Sequence, residues 1–128
     1  MPQSNQKSPA VYRVDRFRVP EAACAAFLER VRAIHEFLRT LPGFNRDRLL
    51  EQRGGPGTFN FVTWVEWDDA RAMESAREAV ASRYREAGFD PQAFLAGLGI
   101  DADLASYTEI AGSEGPRPGA FDYLVGCG

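Results

Sequence analysis

An asparagine and a tryptophan four residues apart, Asn60 and Trp64, have the side-chain types and spacing in this chain that best suit chemistry. They lie in the aromatic and β-branched run at residues 58–67, which is typical of a β-strand. Because side chains alternate along a strand, both project from one face. An amide and an indole N–H on one face predict a site for a polar ligand. The alternative is a locally bonded asparagine beside a packing tryptophan.

The other titratable candidates are Asp15 and the single histidine, His35. Asp15 falls in the first predicted strand and could face the same side as Asn60 and Trp64, although a surface charge is the simpler interpretation. His35 flanks the apolar stripe of the first predicted helix. A catalytic histidine needs a partner, which the sequence does not identify, so a surface or packing role is favoured. No nucleophile triad, phosphate loop, dinucleotide fingerprint or metal cluster is present in the sequence.

The elements that position these residues follow from hydrophobic periodicity. Strands are predicted at residues 11–19, 44–53, 58–67 and 103–111, and helices at 21–40, 68–87 and 90–98. The order β-α-β-β-α-(α)-β is that of a ferredoxin-like α+β domain with an antiparallel sheet. Along the third strand, the more apolar set is expected to lie beneath the helices and consists of Phe59, Phe61, Thr63, Val65 and Trp67.

The other face of such a sheet needs a cover, and a second copy of the same sheet is the economical one. We therefore expect a symmetric homodimer in the form of an α+β barrel. Residues 1–10 are predicted to be a disordered lead-in and residues 11–111 the domain. The tail at residues 112–128 is rich in glycine and proline but carries apolar side chains, which suggests that it docks.

Composition and charge exclude several classes of protein. The 128 residues carry a net charge of −3, which argues against a nucleic-acid or anionic-membrane surface. The two cysteines, Cys24 and Cys127, show neither metal-ligand spacing nor a disulfide framework. No apolar run approaches the roughly 20 residues of a membrane span. The polar first ten residues lack the apolar core of a secretory signal, so a cytoplasmic location is expected.

The chain resembles the antibiotic biosynthesis monooxygenase family over about residues 12–110. The likeness rests on a strand and long helix followed by LPGF at residues 41–44, the strand FNFVTWVEW at 59–67, and DDARAMESA at 68–76. The resemblance implies a dimeric α+β barrel with a pocket in each subunit, between sheet and helices. It therefore leaves open which face of the sheet holds the pocket.

The best-understood members of that family oxidise aromatic anthrones to quinones with O₂, without metal or flavin. They use an asparagine and a tryptophan at the spacing of Asn60 and Trp64. The resemblance implies that these two residues are catalytic, donating hydrogen bonds to a delocalised substrate anion and its oxygen adduct. It also leads us to name four candidate substrate-binding residues, which are Asp15, Val62, Trp67 and Tyr84. Neither a cofactor nor a metal is implied.

Three departures from the family pattern qualify that hypothesis. Asp15 stands nearest to the position where relatives have a further asparagine, and a carboxylate would repel an anion unless it is protonated. A tyrosine found early in the second helix of some members has no match at Ala70. The second helix also has no histidine, which argues against haem ligation. The alternative hypothesis is a non-catalytic, small-molecule-binding or stress-linked dimer of the same fold.

Overall fold

The computed structural model describes residues 9–112. In chain order these form the strand β1 (Val11–Arg18), a 3-10 turn (Glu21–Ala23), the helix α1 (Cys24–Leu38), the strands β2 (Phe44–Glu51) and β3 (Phe61–Trp67), the helices α2 (Ala70–Ala87) and α3 (Pro91–Gly97), and the strand β4 (Asp101–Thr108). The strands make one antiparallel sheet in the order β2-β3-β1-β4. The predicted ferredoxin-like α+β class is confirmed. The expectations for most of the lead-in and tail, including Cys127, lie outside the described residues.

Local sequence signals explain where the later helices begin and end. The Asp69 carboxylate caps α2 by accepting from the backbone N–H of Ala72 at 2.9 Å, and Gly88 ends that helix in the left-handed conformation. Asp90 caps α3 in the same way, with a proline at the first helical position. No helix among the described residues is long and apolar enough to cross a membrane.

Pairing across the sheet corrects two predicted strand boundaries. β4 extends from Asp101 to Thr108 because it pairs with β1 along its whole length, from Arg18 opposite Asp101 to Val11 opposite Thr108. β3 begins at Phe61 rather than at residue 58, so Asn60 lies just before the strand. The alternation of faces within a strand therefore cannot be extended back to Asn60.

Within β3 the predicted alternation is confirmed. Phe61, Thr63, Val65 and Trp67 are buried beneath the helices, whereas the residues between them are only partly buried. Phe61 belongs to an apolar cluster around Phe27, whereas Val65 and Trp67 belong to a second one. The helix-covered face of the sheet is therefore packed at two centres rather than one.

The opposite face of the sheet, here called the open face, carries no helix of the described chain. Its side chains come from the alternate positions of all four strands and include Tyr12, Val14, Arg48, Leu50, Val62, Trp64 and Tyr107. Leu50 and Tyr107 remain 47% and 48% exposed. Exposed apolar and aromatic side chains on a bare sheet face are typical of a surface that packs against another molecule.

The turn between α1 and β2 is fixed by a close approach to α2. Gly43 has a φ of 84°, and a Cβ built there would come within 2.4 Å of the Ala72 Cβ. The Gly43 carbonyl also accepts from the backbone N–H of Asp68 at 2.8 Å. Only glycine satisfies both the left-handed backbone and the contact, so the LPGF segment holds the start of α2 against the start of β2.

Candidate functional site

A cavity of about 340 Å³ lies between the helices and the helix-covered face of the sheet. Its wall is predominantly apolar, and α1, α2 and α3 all contribute to it. Members of both apolar clusters, such as Phe27 and Trp67, line it. Volume and lining are those of a small-molecule site, and the position is the one implied for a pocket between sheet and helices.

Three polar side chains enter this cavity from the sheet. Asp15 on β1 lies directly across from Thr63 on β3, and Arg13 lies two residues before Asp15 on the same face. Arg13 Nε donates to Asp15 Oδ1 at 2.6 Å. The floor of the cavity therefore presents an ion pair and a hydroxyl beneath apolar walls, which would orient a polar group of a bound molecule.

Asp15 lies in an environment that disfavours its charged form. Burial raises the pKa of the Asp15 carboxyl, although the neighbouring Arg13 guanidinium opposes that effect. The side chain is 21% exposed. The suggestion that Asp15 shares the open face with Trp64 is wrong, because its position in the β1–β3 register turns it beneath the helices. A carboxyl held partly towards its neutral form is less repulsive to an anion than an ordinary aspartate.

His35 on α1 also lines the cavity and has a buried acidic partner. His35 Nδ1 lies 3.1 Å from Asp47 Oδ2, and both side chains are less than a tenth exposed. Arg39 holds Asp47 with two hydrogen bonds, from Nε at 3.0 Å and from a terminal nitrogen at 3.1 Å. Burial lowers the pKa of His35, and Asp47 only partly offsets this, so the neutral imidazole is favoured at pH 7.

An aromatic cluster forms the end of the cavity near α3. The rings of Tyr84 and Phe89 are 4.9 Å apart, and those of Phe89 and Phe94 are 5.4 Å apart. The Arg30 guanidinium lies 3.8 Å from the centre of the Phe89 ring. Burial raises the pKa of the Tyr84 phenol, so its hydroxyl stays protonated and able to donate a hydrogen bond.

The structure brings together three of the six residues singled out from sequence. Asp15, Trp67 and Tyr84 all line the cavity. Val62, Trp64 and Asn60 are not among its lining residues. Val62 and Trp64 instead belong to the open face.

The Asn60 amide is bonded to backbone at the end of β1. Its Oδ1 accepts from the N–H of Val19 at 2.8 Å, and its Nδ2 donates to the carbonyl of Val19 at 2.9 Å. This pair of bonds extends the contact between β1 and β3 beyond the regular ladder. Asn60 thus has a local structural task in this conformation, and its catalytic role stays a prediction.

Trp64 lies on the open face among charged and aromatic neighbours. Its ring centre is 6.1 Å from that of Tyr12, in an edge-to-face arrangement. The guanidinium carbons of Arg46 and Arg48 lie 5.5 and 5.8 Å from the indole. The assignment of Trp64 as a catalytic residue likewise stays a prediction.

Sequence reasoning missed the partner of His35. Arg39 is four residues after His35 and therefore on the same helix face, which was an available signal. Asp47 was hidden by an irregularity in β2, where the register with β3 shifts between Phe44 and Arg46. Because of the extra residue, the side chain of Asp47 lies on the helix-covered face of the sheet. Unbroken alternation from Phe44 would have placed Arg46 on that face instead. Among the described residues, no group of three or more His, Cys, Asp or Glu could hold a metal ion.

The described residues form a small α+β domain in which a helix-covered antiparallel sheet borders a ligand-sized cavity. The model of the antibiotic biosynthesis monooxygenase family matches residues 10–87, more than half of the chain. The chain therefore belongs to that family. Comparison with curated protein sequences found no match.

Solved structures with a similar fold include oxygenases. A proposed monooxygenase from Shewanella loihica is 22% identical, with a TM-score of 0.61 over 82% of this chain and 98% of that one. SnoaB, a cofactor-independent oxygenase from Streptomyces nogalater, is 25% identical in a mutant form, with a TM-score of 0.57 over 80% and 94%. A heme-degrading protein from Mycobacterium tuberculosis is 18% identical, with a TM-score of 0.52 over 84% and 99%.

Replacing Asp15 with asparagine tests the electrostatic character of the cavity floor. A carboxyl whose pKa is higher in the folded than in the unfolded chain destabilises the fold once it ionises, because the unfolded chain loses that proton more readily. We expect the stability of Asp15→Asn, relative to the native chain, to be higher at pH 7 than at pH 4. Thermal unfolding followed by circular dichroism at both pH values measures this difference.

The matched control for that experiment is Asp101→Asn, which removes a carboxyl that is paired with Arg18 and 67% exposed. It should show no such gain between pH 4 and pH 7. A stability difference for Asp15→Asn that is constant with pH, or that falls as the pH rises, would contradict the assignment of Asp15 to a desolvated site.

Proposed function

We propose that this protein is a cytoplasmic monooxygenase that oxidises a planar, anthrone-like aromatic substrate with O₂ in the cavity beneath its helices. The observation that carries the proposal is the shape and lining of that cavity: apolar and aromatic walls over a polar floor. Membership of the antibiotic biosynthesis monooxygenase family supports an oxygenase. The similarity to SnoaB supports a reaction that needs no cofactor.

The proposed reaction does not require a redox-active group on the protein. An anthrone methylene loses a proton to give a carbanion delocalised over the rings, which resembles a phenolate. This anion reduces O₂ and forms a hydroperoxide at the same carbon, and loss of water leaves the quinone carbonyl. Overall, one CH₂ group and one O₂ give one C=O group and one H₂O. The protein must therefore bind a flat ring system, stabilise an oxyanion and admit O₂.

Each of these tasks has a match in the cavity. The aromatic side chains of Trp67, Tyr84 and Phe94 offer flat surfaces for a ring system. The Arg13 guanidinium and the protonated Tyr84 hydroxyl are donors that could stabilise developing negative charge on oxygen. Asp15 beside Arg13 keeps that end of the cavity from being strongly cationic. We therefore place the substrate with its oxygens towards the polar floor.

The first test of this proposal is oxygen consumption. With 1,8-dihydroxy-9-anthrone in buffer containing a metal chelator, the protein should consume O₂ faster than the compound does alone. Val80→Trp, which fills the cavity from α2, should reduce the rate at least about tenfold, equivalent to ~1.4 kcal/mol of barrier. An oxygen electrode and the absorbance of the anthraquinone product measure both rates.

The control is Glu78→Trp, which adds the same side chain at an exposed position of α2. It should retain the native rate. Asn60→Ala and Trp64→Phe belong in the same assay, since the resemblance predicts that both lose activity. Saturable binding without O₂ uptake across a broad panel of anthrones would refute the oxygenase and favour the non-catalytic alternative.

The two tryptophans distinguish the cavity from the open face. Trp67 lines the cavity and Trp64 lies on the other side of the sheet. Trp64→Phe leaves Trp67 as the only indole, and Trp67→Phe leaves Trp64. If 1,8-dihydroxyanthraquinone binds in the cavity, it should quench the remaining tryptophan fluorescence saturably, and several-fold more strongly in Trp64→Phe than in Trp67→Phe. Fluorescence titration measures this, and stronger quenching of Trp64 would instead place the ligand on the open face.

We also propose that the open face pairs with a second copy of the chain. A bare antiparallel sheet with half-exposed Leu50 and Tyr107 is the surface that such a partner would cover. Sedimentation equilibrium should give twice the chain mass of 14.2 kDa. Leu50→Lys should shift the mass towards the monomer, whereas Glu78→Lys on the exposed side of α2 should not. A native monomer at micromolar concentration would rule out this dimer.

A further inference from the structure

His35 has no role yet in the proposed reaction. It lines the cavity, and together with Val31 it also lines a second hollow on the outer side of α1 and β2. Val31 is apolar, so His35 is the polar group shared by the two spaces. His35 therefore offers a polar group at the border of both the interior cavity and the outer hollow.

Hydrogen bonds connect that imidazole to the protein surface. His35 Nδ1 is bonded to Asp47, and Asp47 is bonded in turn to Arg39, whose side chain is 54% exposed. Asp47 and Arg39 line the outer hollow but not the cavity. The polar chain thus leads away from the cavity, from a buried ring through a buried carboxylate to an exposed guanidinium.

This arrangement selects one tautomer of the neutral ring. The Asp47 carboxylate is an acceptor, so Nδ1 must carry the hydrogen. The other nitrogen, Nε2, then carries the lone pair. Nε2 has no hydrogen-bond partner among the described residues. Those residues contain no buried side-chain nitrogen or oxygen without a partner, so Nε2 is not buried but reaches open space. Nδ1 is taken up by Asp47, so Nε2 is the ring nitrogen left to serve the cavity that His35 lines.

Charges of both signs surround the ring, and they come from each element packed around it. Asp47 attracts a proton to His35 and Arg39 disfavours it, while Asp15 across the cavity favours it weakly. The charged groups lining the two spaces are Arg13 and Asp15 from β1, Arg30, Arg32, Glu36 and Arg39 from α1, Asp47 and Arg48 from β2, and Arg77 from α2. Because Asp47 contacts His35, the imidazole can gain a proton without becoming an unpaired buried charge.

We propose that His35 is the general base of the cavity and that Asp47 and Arg39 are its positioning residues. The inference rests on the proposed function and names the group that starts the reaction. Nε2 takes one methylene proton, and the C–H electron pair stays on the substrate as the delocalised carbanion. O₂ accepts the electrons and bonds to that carbon. The imidazolium returns its proton to the peroxide, whose O–O bond breaks as the remaining C–H proton leaves, giving the carbonyl and water.

The decisive experiment separates proton removal from oxidation. Without O₂, the native protein in D₂O should catalyse exchange of the methylene protons of 9-anthrone for deuterium, followed by proton NMR. His35→Gln should reduce the catalysed exchange about 100-fold, the usual contribution of a general base. The native exchange rate should rise with pH and level off below about 6.5, because the base must be neutral and burial lowers the pKa of His35 from that ordinary value. In His35→Gln that levelling should be absent.

Two further variants show whether the imidazole acts directly. Asp47→Asn keeps the shape but removes the charge that supports the imidazolium, so it should reduce exchange less than His35→Gln and alter the pH profile. Glu29→Gln, at an exposed position of α1 that lines neither space, should leave rate and profile unchanged. Circular dichroism of each variant verifies folding.

Because the sequence contains a single histidine, an untagged sample labelled with ¹⁵N-histidine gives one assignable imidazole. The native protein should show the Nδ1–H tautomer, and Nε2 should shift when 1,8-dihydroxyanthraquinone binds. An Nε2–H tautomer, or an Nε2 that does not respond to bound ligand, would overturn the inference. Normal exchange and O₂ uptake in His35→Gln would overturn it while leaving the proposed function intact. A native protein that neither exchanges nor oxidises anthrones would overturn both.

Discussion

The two-residue period of β3 is the constraint on which the rest of this molecule depends. It sends Phe61, Thr63, Val65 and Trp67 beneath the helices and leaves Val62 and Trp64 on the other side. A slip of one residue in pairing would exchange these two sets and place an aromatic core in water. The same alternation on β1 puts Asp15 opposite Thr63 and below the helices. The strand register thus determines the location of the cavity and of its polar floor.

Polar groups beneath the helices require compensation, and both Asp15 and His35 have charged partners. Asp15 is paired with Arg13, and His35 is bonded to Asp47, which is itself held by Arg39. The described residues contain no buried side-chain nitrogen or oxygen that lacks a hydrogen-bond partner. Desolvation nonetheless shifts Asp15 and His35 towards their neutral forms. The charged side chains that line the cavity are three arginines, Arg13, Arg30 and Arg77, against the one carboxyl of Asp15, and this positive balance suits a reaction through a delocalised anion.

Much of the architecture was available from sequence because it follows from local chemistry. The caps at Asp69 and Asp90 and the burial of alternate β3 residues were all predictable. The boundaries that failed depend on partners distant in the chain. Asn60 looked like part of a strand, but its amide bonds to the backbone of Val19. Asp47 turned inward through a register shift in β2, so the acidic partner of His35 could not be read from alternation.

The close contact between Gly43 and Ala72 has a consequence for the range of molecules that the cavity can admit. It fixes the first turn of α2 to the sheet at the end where Phe44 packs against Trp67. The last turns of α2 are held differently, by side-chain contact between the tilted rings of Tyr84 and Phe89. Aromatic side chains can rotate and shift, whereas the close approach of Gly43 to Ala72 leaves no room for movement. A bulkier guest would be accommodated by movement at the Tyr84 end, so the aromatic side chains there set the upper limit of size.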